Sequence, residues 1–290
     1  MRVRAADIRP SLITAAATGT APSVRPTRDR WLAACSRELL PTSYAHVVFT
    51  LPHQLAPLAM QNKRELYGLL FRSSAETLLT VARHPKHLGA QIGFFRVVNT
   101  WNQQLLHHPH VHCVVPAGGL AFDHSRWITG QHGFSLSVKV ISRVFRGKFV
   151  AGLYQLHAFG QIGFHGALCP LAKPRAFAAW IRTLYRHDWV VNSKPPFGGA
   201  EHALRYLGRY THRVAISNHR LLSLAEGRVT FRWRDSAHKN KKRRMSLTAE
   251  EFLRQFLLHL LPPRASCASA TSASSRIGGE ASYCHCAANC

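Results

Sequence analysis

Apolar and polar positions change period several times along the chain, and each change marks an element. Residues 44–51, Tyr-Ala-His-Val-Val-Phe-Thr-Leu, are β-branched and aromatic and stop at Pro52, the pattern of a buried strand. Leu66, Leu69, Leu70, Leu78, Leu79 and Val81 recur at spacings of three, four and seven. They predict an amphipathic helix over 62–83, ending before His84-Pro85 because a residue that precedes proline is pushed out of helical geometry. Strands are predicted at 92–100 and 111–116, the second closed by a turn at Ala117-Gly118-Gly119. Helices follow at 138–156 and 174–186, then a short strand at 189–193, a rigid Lys-Pro-Pro-Phe-Gly-Gly loop at 194–199 and a helix at 200–210.

From 228 to 234 the alternation is strict, with Val229, Phe231 and Trp233 on one face and Arg228, Thr230, Arg232 and Arg234 on the other. Residues 238–244 read as a basic loop returning through Met245-Ser246-Leu247 as the second arm of a hairpin. Thr248 with Glu251 predicts a capping box that opens a helix through Leu261. Residues 1–28 carry Pro10, Pro22 and Pro26 with no apolar period, and beyond Pro262 the composition collapses to Ser, Ala, Cys and Gly. The expected organisation is therefore a flexible leader (1–30), one patterned domain (31–262) and a disordered low-complexity tail (263–290), with no internal repeat.

Charge narrows the function. Among 290 residues, 38 Lys+Arg against 13 Asp+Glu leave a formal net charge of +25, so a polyanionic partner is expected. The apolar fraction of 46% suffices for a packed core and excludes disorder throughout. Nothing approaches eighteen uninterrupted apolar residues, which argues against an integral membrane protein. The would-be signal region is cut by Thr14, Thr18, Gly19 and Thr20, and seven scattered cysteines make no disulfide framework. A reducing cytoplasm is the expected compartment.

Two clusters carry candidate chemistry. In His107-His108-Pro109-His110-Val111-His112-Cys113, side chains alternate across a strand, so His110 and His112 share a face roughly 7 Å apart and can converge on one ion. Polar residues at a strand end would read the same way. A structural zinc site would need further partners, since Cys113 faces the other way and no Cys-x-x-Cys lies near. In the predicted helix that follows residue 200, Tyr206 and Tyr210 share a face. His202 lies a further turn back, and Arg205, Arg209 and Arg213 form a neighbouring stripe. Core tyrosines beside solvated arginines are the plain alternative. A phenol of pKa near 10 is a poor nucleophile at neutral pH. It becomes useful against a phosphodiester when a divalent metal polarises the phosphate and cations stabilise the developing charge.

Taken together, His-Val-Val-Phe-Thr-Leu-Pro (46–52), His-Pro-His-Val-His-Cys-Val-Val-Pro (108–116), Phe-Arg-Gly-Lys-Phe (145–149), Lys-Pro-Pro-Phe-Gly-Gly (194–199) and Tyr-Leu-Gly-Arg-Tyr-Thr-His-Arg-Val-Ala-Ile-Ser (206–217) closely resemble a known family. It is that of the two-tyrosine, rolling-circle transposases of bacterial insertion sequences (IS-ninety-one type), within the HUH endonucleases. The resemblance spans about 31–262. It implies an α+β fold with an RRM-like central antiparallel sheet flanked by helices, the His pair on a central strand and the tyrosines on a helix facing it. By the same resemblance His110 and His112 would hold Mg²⁺ or Mn²⁺, with His202 nominated as third ligand because Tyr210 occupies the position one turn beyond the first tyrosine. Tyr206 and Tyr210 would each attack a scissile phosphate in turn, leaving a 5′-phosphotyrosine and a free 3′-OH. That link keeps the phosphoester energy, and the chain accordingly has no Gly-x-x-x-x-Gly-Lys-[Ser/Thr] loop for ATP.

The expected partner is DNA, chiefly single-stranded element ends. It would be gripped by Arg205, Arg209, His212 and Arg213 beside the tyrosines and by Arg232, Arg234, Lys239, Lys241, Lys242, Arg243 and Arg244 on the hairpin. The few carboxylates between 44 and 262 form no three-acid constellation, which disfavours a transposase of that other chemistry. A replication initiator or relaxase of the HUH class would share the mechanism, and a truncated, non-transposing DNA-binding remnant is the non-catalytic alternative. The family also carries a cysteine-rich N-terminal zinc module and a basic C-terminus. Only Cys35 precedes Cys113 here, and 264–290 read like out-of-frame translation, so both are expected to be missing.

Overall fold

The computed structural model describes residues 40, 42–130, 137–197, 216–235, 238–259 and 269–271. Strand β1 (Tyr44–Thr50) ends at the expected Pro52. A 3₁₀ turn (His53–Leu55) and α1 (Ala56–Gln61), neither marked by the apolar period, lead into α2 (Lys63–Arg83). Helix α2 buries Leu66, Leu69, Leu70, Leu78 and Val81 along one face, and His84 turns extended ahead of Pro85. Then come β2 (Phe94–Trp101), β3 (His107–Pro116), β4 (Gly118–Leu120), β5 (Trp127–Thr129) and α3 (Val138–Ala158). They are followed by α4 (Pro174–Thr183), β6 (Val191–Phe197), β7 (Leu221–Ala225), β8 (Arg228–Asp235), β9 (Lys241–Thr248), α5 (Ala249–Leu257) and β10 (Ser269–Thr271).

The main sheet runs β10-β2-β3-β1-β6 with every pairing antiparallel. The succession β1-α2-β2-β3-α3-β6, with spatial order β2-β3-β1-β6, is the βαββαβ arrangement shared by ferredoxin-like and RRM folds. The α+β class and central antiparallel sheet are therefore as expected, with the His strand in the middle.

One face of this sheet is covered. Val47 and Phe49, Phe94 and Val98, and Val111, Cys113 and Val115 pack against the leucines of α2 and against Ile141, Phe145, Phe149 and Leu153 of α3. Gly152 lets the helices approach, since a Cβ there would overlap Leu69 Cδ1. Arg96, on the same face, donates to the Phe71 carbonyl of α2 and lies 4.2 Å over the Phe71 ring, so its charge is absorbed by a helix it must otherwise disrupt.

A smaller module is built from the sheet β7-β8-β9 and α5. Its core is Leu105, Ile216, Val229, Phe231, Ala249 and Phe252. Leu105 comes from the β2–β3 connection and ties the module to the main sheet where the His strand begins. His259 completes the tie, Nε2 donating to the Leu105 carbonyl at 2.7 Å and Nδ1 accepting from Thr100 Oγ1 at 3.2 Å. Leu105 sits at φ 65°, a left-handed conformation uncommon for a side chain of its size, held by complete burial.

Four local expectations are corrected. Residues 194–197 continue β6 instead of forming a loop, and Pro195 and Pro196 fall at a bulge, the two standing opposite the single residue Ala45 between the pairs His46↔Lys194 and Tyr44↔Phe197. Lys241 to Arg244 are part of β9 and not of the connecting loop, because each has a β8 partner in register. Gly118 and Gly119 begin a short strand, with Gly118 packed so closely under Ile128 and Trp127 that a Cβ would collide. Within the expected unstructured tail, Ser269–Thr271 pairs with the outer edge of β2. The leader 1–30 and the helix expected at 200–210 lie outside the described residues. Among the described residues no helix is long and apolar enough to cross a membrane.

Candidate functional site

The face of the sheet away from α2 and α3 carries the His pair. Antiparallel register sets His110 between Thr50 and Asn99, His112 between Val48 and Val97, and Val114 between His46 and Phe95. Between the pairs Trp101↔His107 and Asn99↔His110, β3 spends one residue more than β2, a bulge that takes in His108 and Pro109. The proline, which has no N–H to give a ladder, thus stands where the ladder is already broken. His108, His110 and His112 gather as a result, with ring centroids 5.4 Å and 4.8 Å apart.

The ring nitrogens are set individually. His110 Nδ1 donates to the His108 carbonyl at 2.6 Å, which leaves Nε2 as the lone-pair nitrogen. His112 Nδ1 lies 2.9 Å from His46 Nε2, the two rings stacked with centroids 5.1 Å apart. With the proton on His112 Nδ1, His46 accepts and the ligating nitrogen of His112 is again Nε2. A metal-binding imidazole ordinarily donates its second N–H to such a partner. Burial holds His110 down at about 4, against the smaller opposing pull of the His108 carbonyl, and holds His112 well below its ordinary range with help from His110 and His46. Both are neutral at physiological pH, the form that ligates metal.

Oxygen donors lie beside them. Asn99 is 2% exposed, is the register partner of His110, and its Oδ1 has no hydrogen-bond partner among the described residues. An orphaned buried carbonyl next to two neutral imidazoles fits a small oxygen-preferring divalent cation. Among the described residues no three His, Cys, Asp or Glu side chains converge closely enough to hold a metal ion by themselves. Tyr206, Tyr210, His202, Arg205, Arg209, His212 and Arg213 lie outside the described residues.

Nothing in the local sequence assigns His46 or Asn99 to the site. Each carries the right parity along its strand, but only the register shows that they meet the His pair. Tyr67 and His107 form another buried contact, hydroxyl to Nε2 at 2.7 Å, where α2 meets the start of β3.

A family model described as "Y2_Tnp: Putative transposase" matches residues 93–268, more than half of the chain and all of the segment from β2 through α5. The chain belongs to this transposase family. The resemblance drawn from its motifs agrees. Among curated relatives, "Putative transposase y4qJ" of Sinorhizobium fredii (strain NBRC 101917 / NGR234) is 51% identical over 235 residues, covering 81% of this chain and 59% of that protein. "Transposase for insertion sequence element IS801" of Pseudomonas savastanoi pv. phaseolicola is 28% identical over 217 residues, covering 73% of this chain and 49% of that protein. The chain thus spans 59% and 49% of the length of these relatives. A solved structure of TrwC, complexed with a 27-mer DNA comprising the recognition hairpin and the cleavage site, aligns at 13% identity over 57% of this chain and 65% of that one. A second, of the conjugative relaxase TrwC with oriT DNA, aligns at 10% identity over 57% and 68%. Both have TM-scores of 0.31, so the fold assignment rests on strand order and register.

In this transposase-family chain the basic hairpin residues separate by face. Arg232 and Arg244 are register partners, as are Arg234 and Lys242, and all four are exposed. Lys241 and Arg243 fall on the other face with Asp235, where Arg243 Nε closes on the carboxylate at 2.8 Å and His238 Nδ1 lies 2.9 Å from it. Lys239 lies in the β8–β9 connection at φ 51° and is exposed.

Proposed function

We propose that this chain nicks and rejoins single-stranded DNA through 5′-phosphotyrosine intermediates at a His-bound divalent metal, as the strand-transfer step of rolling-circle transposition. The observation that carries the reading is the arrangement of imidazoles on the sheet face away from α2 and α3. In a member of a transposase family, His110 and His112 stand side by side on one face of the central strand with ring centroids 4.8 Å apart, His110 Nδ1 bonded to the His108 carbonyl and His112 Nδ1 against His46 Nε2. His110 and His112 would hold Mg²⁺ or Mn²⁺, with Asn99 Oδ1 a described oxygen donor and His202 a further nitrogen from the helix expected on sequence grounds. Bound there, the ion supplies Lewis-acid polarisation of a phosphate oxygen.

The rest is done by the chain's own groups. Tyr206 attacks phosphorus, its oxygen forming the new P–O bond as the phenolic proton leaves; the 3′-oxygen departs and takes up a proton. Tyr210 does the same at a second phosphate. Arg205, Arg209, His212 and Arg213 stabilise the charge that builds on the phosphoryl oxygens. A free 3′-OH later attacks the phosphotyrosine, reversing the bond exchange and releasing the phenol, so no nucleotide cofactor is consumed.

The test incubates the purified chain with labelled single-stranded DNA from the element's ends, in Mn²⁺ or in EDTA, on denaturing gels. The expected result is an SDS-stable adduct that needs metal, persists with Tyr206→Phe or Tyr210→Phe alone, and vanishes in the double variant. Salt-sensitive binding with no adduct on any terminal sequence would leave a DNA-binding protein without nicking activity.

A further inference from the structure

The exposed face of the β7–β9 sheet places like charges directly opposite one another. Arg232 stands across from Arg244 and Arg234 across from Lys242, with Arg228 further along beyond the Thr230–Ser246 pair. Facing like charges destabilise a β pair, and an acid in this position would relieve them. The one acid in these strands, Asp235, points to the other face and is engaged by Arg243. Among the described residues none of the five cations of the exposed face makes an ion pair. Along each strand the charges repeat at about 7 Å, and across the strands at about 5 Å, a regular grid that suits a repeating polyanion.

The chemistry of the same face selects the form of DNA. Single strands are held by aromatic platforms on which bases stack. Here the aromatics of β8 lie on the reverse side, Phe231 fully buried in the module's core and Trp233 on the same side as Asp235. The cationic face offers only guanidinium, ammonium and hydroxyl groups, Arg228 being laid across it by bonds to Ser246 at 3.1 and 3.2 Å. On the adjoining strand it continues through Ser223 and Ala225, partners of Thr230 and Arg228, which keep it low. Such a surface reads phosphates and leaves bases alone, as suits a duplex whose bases are already stacked.

We propose that this face is a duplex-DNA clamp, a sequence-independent phosphate-binding surface distinct from the His face. Because Leu105 ties the module to the start of β3, the clamp would hold the double-stranded flank next to the strand being cut. That adjacency rests on the function proposed above, whereas duplex binding by the face does not.

The test compares the full chain with the triple variant Arg232→Gln/Arg234→Gln/Arg244→Gln in titrations of a short random-sequence duplex across a KCl series. Each neutralised phosphate contributes a slope of about 0.9 to log K against log salt, so the triple variant should flatten the slope by about 2 to 3 and lose tenfold or more in affinity at low salt. Arg243→Gln, on the reverse face, should keep the wild-type slope. Arg232→Lys/Arg234→Lys/Arg244→Lys, which keeps the charge, should keep it too even if the Gln triple melts early. A wild-type duplex slope in the Gln triple, or an equal loss in Arg243→Gln, would overturn the clamp. Absence of both adduct and DNA binding in the wild-type chain would instead defeat the function proposed above.

Discussion

His46 shows how much of the centre depends on single atoms. If it fixes the proton on His112 Nδ1, then His46→Ala should weaken Mn²⁺ binding by about 10- to 100-fold, as loss of an outer-shell partner usually does. His46→Gln, which keeps an acceptor, should recover part of it. Calorimetric titration with Mn²⁺ decides, and an unchanged affinity in the Ala variant would remove His46 from the account. Asn99→Leu should likewise weaken Mn²⁺ without loss of stability, because it removes an orphaned buried carbonyl. At this scale the sequence was partly legible. Alternation alone put His110 and His112 on one face and Cys113 on the other, as found. It could not show His46 meeting His112 across 66 positions, since that contact exists only through the pairing of β1 with β3.

His107 carries a pH prediction. Burial, followed by the charges of His259, Lys63 and His108, lowers its folded pKa from 6.5 to about 4, and Tyr67 on α2 bonds to its Nε2. Above 6.5 the ring is neutral whether folded or not. As pH falls from 6.5 toward about 4 the unfolded chain takes a proton that the folded one refuses, so stability should fall through that window. Melting temperatures measured across it should decline less steeply in His107→Phe; identical slopes would place the titration elsewhere.

Elements were legible where an apolar run or an apolar period marks them and hidden where neither does. Strand β8 announces itself by apolar residues on every second position. Strand β9 begins with four consecutive cations, Lys241 to Arg244, and only its register with β8 reveals a strand. The prolines of β6 masked an edge strand, and the bulge in β3 left no periodic trace. The Thr248 cap was legible, its hydroxyl accepting from the Glu251 amide at 3.2 Å. Glu251's carboxylate, however, turns to Arg254 and Gln255 instead of closing the box. The β2–β3 connection is the element whose failure should matter most. Leu105→Ala empties a fully buried site that joins the module to the main sheet. It should cost about 2–5 kcal/mol in urea denaturation. A loss within about 0.5 kcal/mol would mean that the module is held by other contacts.

At the scale of the whole molecule, helices close one side of the main sheet, imidazoles lie buried on the other, and exposed cations of β8 and β9 share one face of the small sheet. The composition predicts a polyanionic partner, and the motifs announced the family whose model matches residues 93–268. Neither could assign the two surfaces, because that division comes from strand register. The central claim is covalent capture of DNA by tyrosine. Its most direct test is tandem mass spectrometry of the nuclease-trimmed protein–DNA adduct formed in Mn²⁺. The account predicts a nucleotide joined through its 5′-phosphate to the phenolic oxygen of Tyr206 or Tyr210. A nucleotide on any other residue, or no covalent nucleotide from DNA that the chain has cut, would contradict it.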